Sequence, residues 1–360
     1  MLLTMLRRPL LPWQEVKGKY SDVVLDSRVR LVRNMEGCAF PLRAKTEDLE
    51  KVLTVGKGQI DALNAIGHGT YTYTALDDVS PLNRELLAFH HLSTAAHIDQ
   101  PKQRGGLWRN DGAVSILLNE TDHFCIQTAA PGFNLQQVWD DAAQIDDTLE
   151  SHINFAFRDD VGYLTTSPTM TGTGLIAGVN IHIPAIVAMK RLNRIVQGIT
   201  KFGFAIGSLY GERGSTLGNV FQITNQITLG VSETDILEQL QQLVLQIIQE
   251  ERNCRAVLWS HDELRLVDKA FRAYGILSYA DLLEEDEAIA LASDLRFGID
   301  QGVLGENPLV HPAMLAVLEP TYLQALHEGQ TLSDEELLQQ RAQAVRKLLK
   351  EYAIAAHRPV

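Results

Sequence analysis

Cysteine is scarce. Cys38, Cys125 and Cys254 are the only three in 360 residues, an odd number in no ligand spacing, so neither a disulfide framework nor a zinc knuckle is expected and a reducing cytoplasm is the default compartment. Long apolar runs are missing as well. No window offers about 18 uncharged apolar residues, and the run around Ala185 to Met189 is cut by Pro184 and closed by Lys190. The opening MLLTMLRRPLLPW carries Arg7, Arg8, Pro9 and Pro12 in place of an unbroken apolar stretch, which does not read as a signal peptide. Positive charge is in deficit, with 32 Lys+Arg against 45 Asp+Glu for a net of −13; such a chain repels nucleic acid and anionic lipid, so neither is expected as a direct partner. The signatures GxxxxGK[ST], HExxH, GxSxG and CxxC are absent, which removes the commonest phosphate loops, zinc proteases, nucleophile elbows and redox pairs. His90, His91 and His97 have no carboxylate or cysteine partners in register, so structural or surface roles are expected and no metal ligation by side chains.

What is present suits a folded α+β protein. Hydrophobic residues make up 45% and aromatics 7%, enough for full cores, and the length favours about two domains. Residues 23–33, VVLDSRVRLVR, alternate so that Arg28 and Arg30 share one strand face and Val29 and Leu31 the other. Two guanidinium groups on one face either form a double fork for phosphate oxygens or stand on a solvated surface. AVSILLN and FCIQTAA, either side of Glu120 to His123, read as a hairpin. Ile236, Leu237, Leu240, Leu243, Val244, Ile247 and Ile248 recur at three and four, predicting an amphipathic helix over 234–252 with Ser232 as its cap. QPKQRGG at 100–106 reads as a surface loop. After Cys254 the composition turns to Leu, Ala and Glu, which predicts a helical domain, and DEELLQQRAQAVRKLLKEY has the apolar stripe and the charge ordering of a helix. Gly172 and Gly174 form a G-x-G that by itself decides nothing.

Taken together, four segments resemble the ATP:guanidino phosphotransferases. SDVVLDSRVRLVRN is similar to their S-S-R-[IV]-R-L-A-R-N, NETDHFCIQ to N-E-E-D-H-x-R-I-Q, GYLTTSPTMTGTGLIAGV to G-Y-L-T-S-C-P-T-N-x-G-T-G-L-R-A-S-V, and YGERGSTLGNVFQITNQITLG to Y-G-E-G-S-E-A-x-G-N-I-F-Q-I-S-N-Q-x-T-L-G. The tail, with DKAFRAYGIL and ASDLRFGIDQG, resembles the extra domain of bacterial protein arginine kinases. The resemblance implies a phosphagen-kinase-like catalytic domain, an antiparallel sheet flanked by helices, over residues 21–254. A helical C-terminal domain over 255–360 follows it, and an N-terminal extension over 1–20 precedes it. It also implies phosphorylation of protein arginine by ATP with Mg in a cytoplasmic stress response. The partners it implies are protein substrates or regulatory proteins, among them an active paralogue, a zinc-binding activator, Clp protease components or a second copy of the chain.

The same resemblance assigns roles. Ser27, Arg28, Val29 and Arg30 match the first phosphate clamp, His91 the histidine near the nucleotide, and Glu212 a catalytic carboxylate. Thr121 stands where the second carboxylate is expected and Ser167 where the substrate cysteine is expected. Cys125, Ile176 and Gly207 stand where three phosphate arginines are expected. A charge-assisted hydrogen bond contributes about 1.5–3 kcal/mol, a transition-state arginine roughly 10³–10⁵ in rate and a positioned base about 10²–10⁴. The expectation is therefore a pseudokinase with weak or no phosphoryl transfer; an active enzyme with a rearranged site, in which Arg213 replaces a lost guanidinium, is the alternative. The cleft is expected to contract around Ile176 or to fill with neighbouring side chains; the alternative is that Ile176 points into the core and the pocket stays open. In the tail, the phosphoarginine-reading R-D-x-x-R-A aligns with LLQQRA and keeps only Arg341 and Ala342, which implies a degraded allosteric pocket.

Overall fold

The computed structural model describes residues 2–212, 214–305, 307–327 and 329–354. Ten strands form: β1 (Val24–Arg33), β2 (Tyr71–Ala75), β3 (Gly105–Arg109), β4 (Val114–Leu118), β5 (Phe124–Pro131), β6 (Phe157–Arg158), β7 (Gly162–Tyr163), β8 (Leu175–His182), β9 (Phe204–Ser208) and β10 (Val220–Asn225). Eight of them make one antiparallel sheet in the order β2-β3-β4-β5-β1-β8-β10-β9, and β6 and β7 form a separate hairpin. The strand over 23–33 and the 113–130 hairpin form as the alternation predicts. In the 100–106 segment, Gly105 and Gly106 belong to β3, where pairing with β2 and β4 overrides the turn character of the glycine pair.

Alternation in β1 decides which face of the sheet is filled. Val29 and Leu31 join Ile126, Ala177, Val179 and the helix Leu135–Glu150 in the main core, while Arg28 and Arg30 lie on the opposite face. Arg33 follows the core parity and is buried there: its guanidinium donates to Asp146 at 2.6 Å and to the Thr173 carbonyl at 2.9 Å and stacks on Tyr163 at 3.5 Å. A buried charge needs this full set of partners. Tight turns hold the loops. Gly172 has φ 111°, and a Cβ there would sit 2.2 Å from the Thr228 carbonyl oxygen, so a larger residue would push the 165–174 loop off the sheet.

The amphipathic helix is longer than its apolar repeat. It runs from Glu233 to Tyr279, with Ser232 accepting from the Asp235 amide at its start and non-helical angles only at Asp262. Between Arg252 and Tyr274 the chain has neither glycine nor proline, so nothing local stops it when the core-facing repeat ends. The expected domain limit at 254/255 thus falls inside a helix. The C-terminal helices Glu285–Asp300, Val310–Leu318, Pro320–Leu326 and Asp334–Glu351 surround a second core of Ala288, Ile289, Leu295, Met314 and Val345. The first residues are packed too: Met5, Leu6, Leu11 and Trp13 join Leu76, Leu86, Leu87, Trp108 and Ala325, so residues 2–18 lie as a strap across both domains. No helix among the described residues is long and apolar enough to cross a membrane.

Candidate active site

The face opposite the core forms a cleft. A cavity of about 450 Å³ is lined by Arg28 and Arg30 of β1, Gln127 and Ala129 of β5, Ile176 and Gly178 of β8, and Gln222 and Thr224 of β10, with His91 and Trp13 among the residues at its edge. Ligand sites are commonly cavities of this order. Ile176 faces it and does not close it. An open cavity stands beside Ile176, and Gly178 and Ala129, which share its lining, have no bulk to fill the space.

Both surviving arginines are already engaged. Arg28 Nε donates to Asp26 Oδ1 at 2.7 Å, and Asn180 Nδ2 donates to the same carboxylate at 2.9 and 3.1 Å while accepting from Gln222 at 3.2 Å. Trp13 lies against the Arg28 guanidinium at 5.9 Å. Arg30 donates through its terminal nitrogen to Glu120 Oε2 at 2.8 Å, and Glu120 also accepts from Thr94 Oγ1 at 2.8 Å and from the Thr121 amide at 2.7 Å. Burial alone would raise the Glu120 carboxyl; Arg30 and these bonds bring it below the usual range. The Cys125 sulfur and Glu120 in turn hold Arg30 above its usual range. Each guanidinium therefore carries a fixed internal counter-ion, and an incoming phosphate must compete with it.

The other assigned residues, apart from His91 at the edge of the cleft, are dispersed. Ser27 is buried, its hydroxyl donating to the Gly132 carbonyl at 2.9 Å and accepting from the Asn134 amide at 3.0 Å; it ties β1 to the turn after β5. The Val29 side chain is in the core. His91 is exposed, with φ 55°, and the adjacent Arg28 holds its imidazole well below the usual histidine range, hence neutral. Cys125 is fully buried with Val32, Leu117 and Met170, and burial pushes its thiol up to about 12, which rules it out as a nucleophile near neutral pH. Thr121 is exposed. Ser167 shares a 2.8 Å hydroxyl contact with Thr169. Gly207, paired to Gln222 in β9, has open space where a Cβ would stand. Glu212 is exposed in the loop after β9 and is not among the residues that line the cleft. Arg213 lies outside the described residues. Among the described residues no group of three or more His, Cys, Asp or Glu is arranged to hold a metal ion.

Asp26, Glu120 and Asn180 are the residues that sequence reasoning passed over. A signal existed for the first: in the S-S-R motif the position of Asp26 is serine. The shared signature residues hold the scaffold. Asp122 Oδ1 accepts from Asn34 and from the Thr166 amide, both at 2.6 Å, and His123 Nδ1 accepts from the Met35 amide at 3.0 Å. Arg341 is buried and donates to the Leu318 and Leu283 carbonyls and to Glu285, clasping three segments of the C-terminal domain.

An eight-stranded antiparallel sheet with this cleft, followed by a helical domain, is the architecture of a phosphagen kinase with an added tail. Residues 55–254 match the family described as ATP:guanido phosphotransferase, C-terminal catalytic domain, and residues 263–358, which begin just after the Asp262 break, match the Protein-arginine kinase McsB C-terminal domain. The chain is 38% identical over 347 residues to the protein-arginine kinase of Brevibacillus brevis, covering 96% of this chain and 97% of that one. It is 36% identical over 338 residues to that of Bacillus subtilis, covering 94% and 93%. Among solved structures, lombricine kinase aligns over 67% of this chain and 69% of its own at TM-score 0.58 and 21% identity. The duplicated taurocyamine kinase of Schistosoma mansoni aligns over 68% and 35% at TM-score 0.58 and 25% identity. The chain belongs to the protein-arginine kinase family.

Proposed function

We propose that this chain is a catalytically impaired protein-arginine kinase, a pseudokinase that keeps the nucleotide cleft and acts by binding protein partners. The observation that carries this reading is the internal pairing of both remaining clamp arginines, Arg28 with Asp26 and Arg30 with Glu120. The cleft has room for a nucleotide-sized ligand, but its charge does not fit a triphosphate: three arginine positions are Cys125, Ile176 and Gly207, and the two guanidinium groups left are neutralised from within. No carboxylate stands at position 121 to take a proton from a guanidinium, and Glu212 is outside the cavity. ATP with Mg remains the expected ligand, held weakly. The proposed setting is the cytoplasmic stress response. The proposed partners are an active paralogue, a zinc-binding activator, Clp protease components or a second copy of the chain.

Isothermal titration with Mg-ATP tests the reading beside a mass-spectrometric assay of protein arginine phosphorylation. The expected outcome is affinity about one to three orders of magnitude below that of an intact family member, as two or three lost charge-assisted contacts require, and no detectable phosphoarginine. Turnover comparable with an intact relative would establish the alternative, an active ATP:protein-arginine phosphotransferase with a rearranged site.

A further inference from the structure

On the other side of Arg28 lies a second cavity, also about 450 Å³, where the strap, the ends of the central strands and the C-terminal helices meet. Its charged groups fall into two sets. Arg28 is committed to Asp26, and Arg296 donates to Asp300, to the Pro308 carbonyl and to the Ser21 carbonyl. Glu85, on the helix Pro81–Phe89, and Glu319, at the junction of the helices Val310–Leu318 and Pro320–Leu326, also line the cavity, and neither side chain has a hydrogen bond or ion pair among the described residues. Lys17 stands on the exposed rim.

Aromatic groups complete the wall: Trp13, Phe89 and Tyr210. Trp13 is buried to 9% exposure, and its indole N–H has no acceptor. Burial and the neighbouring Glu285 carboxylate raise the Glu319 carboxyl above its usual range, against the opposing pull of the Arg341 guanidinium. A half-buried carboxylate with no direct hydrogen bond or ion pair among the described residues, and only the Arg341 guanidinium farther off, gains from a cation that reaches it; aromatic faces attract the same cation, and apolar walls accept its stem. An orphaned indole N–H asks for an acceptor on the same ligand.

We propose that this cavity binds a cationic amino-acid side chain presented on a peptide, with Glu319 as counter-ion, the aromatic walls around the aliphatic stem, and the Trp13 N–H donating to a carbonyl of the ligand. The site adjoins the nucleotide cleft, sharing Trp13 and Arg28 with it, but does not depend on the reading of that cleft. The test is isothermal titration of the full chain with Nα-acetyl-lysine methylamide, against the uncharged Nα-acetyl-norleucine methylamide. Binding of the lysine compound, at least tenfold weaker binding of the norleucine compound, and an at least tenfold loss in Glu319→Gln with unchanged circular dichroism are expected. Glu212→Gln should leave the affinity unchanged, and failure of Mg-ATP to bind would leave the result standing. Four results overturn the proposal: no binding of the lysine compound, equal affinity for norleucine, an unaffected Glu319→Gln variant, or a loss that follows Glu212→Gln.

Discussion

Replacing Asp26 by the serine of the S-S-R motif removes the carboxylate that holds Arg28 and leaves the strand otherwise intact. Arg28 then has no counter-ion on its own strand, and a phosphate can take the released donors. One charge-assisted contact at about 1.5–3 kcal/mol converts to roughly tenfold or more in affinity, so Asp26→Ser is expected to tighten Mg-ATP binding about tenfold in an isothermal titration. Asn180 loses its acceptor in the same variant, and a fall of a few degrees in the melting temperature should accompany the gain. An unchanged ATP affinity with an intact fold would mean that Arg28 does not reach the phosphates. Restoring arginine is less uniform than the motif suggests: Gly207 has open space for a side chain, whereas Cys125 is enclosed by Val32, Leu117 and Met170, so Gly207→Arg should be tolerated far better than Cys125→Arg.

The short helix Ala95–Ile98 is fastened to β4 through His97, whose Nε2 donates to the Leu118 carbonyl at 3.0 Å and whose Nδ1 meets the Ser93 hydroxyl at 2.8 Å. The helix Pro81–Phe89 is fastened to the strap in the same manner, with His90 Nε2 donating to the Leu6 carbonyl at 2.9 Å. Burial lowers both imidazoles to about 4. Below the ordinary histidine value near 6.5 the unfolded chain binds protons that the folded chain refuses, so stability is fully present above about pH 6.5 and falls as pH drops towards 4, by about 3 kcal/mol for each histidine at the limit. Urea midpoints at pH 7.5 and 5.0 check this, and His97→Asn should reduce the slope. The existence of such elements was readable: β1, the β4–β5 hairpin and the core stripe from Ile236 to Ile248 follow from periods of two and of three to four. What could not be read was partnership. Asp26 stands two residues before Arg28 on the same strand face and was within reach of the alternation, but nothing local in the sequence says that Arg30 meets Glu120, since that contact closes 90 residues apart, and the continuation of the helix past Cys254 depends on an absence of stops that an apolar repeat does not register.

At the scale of the molecule, the two domains are joined by a buried charge network. Glu251 accepts from the amides of Ala185 and Ile186 and pairs with Arg255 at 2.7 Å; Arg255 reaches the Asp22 carbonyl and Asp300; and Asp300 pairs with Arg296 at 2.8 Å. Asp22 and Ala185 lie in the catalytic domain, Glu251 and Arg255 on the shared helix, and Arg296 and Asp300 in the tail. Asp300→Asn leaves two buried guanidinium groups short of an anion, and breaking one side of such a pair costs about 3–5 kcal/mol. Calorimetry is expected to show a lowered melting temperature and to split a single unfolding transition into two; one unshifted transition would mean that apolar packing alone couples the domains.

The strap across both domains has a consequence for the order in which the molecule is made. Its residues leave the ribosome before the C-terminal helices do, yet Leu11 and Trp13 pack in a cluster that includes Ala325, and the Tyr322 hydroxyl donates to the carbonyl of Arg7, 315 residues earlier. Contacts so far apart in the chain are closed late, because the loop between them must be ordered first. The strap is thus made before the helices it packs against and placed after them, and a nascent chain halted anywhere before residue 320 carries Leu6, Leu11 and Trp13 without part of the surface that covers them, a state exposed to chaperones and to aggregation.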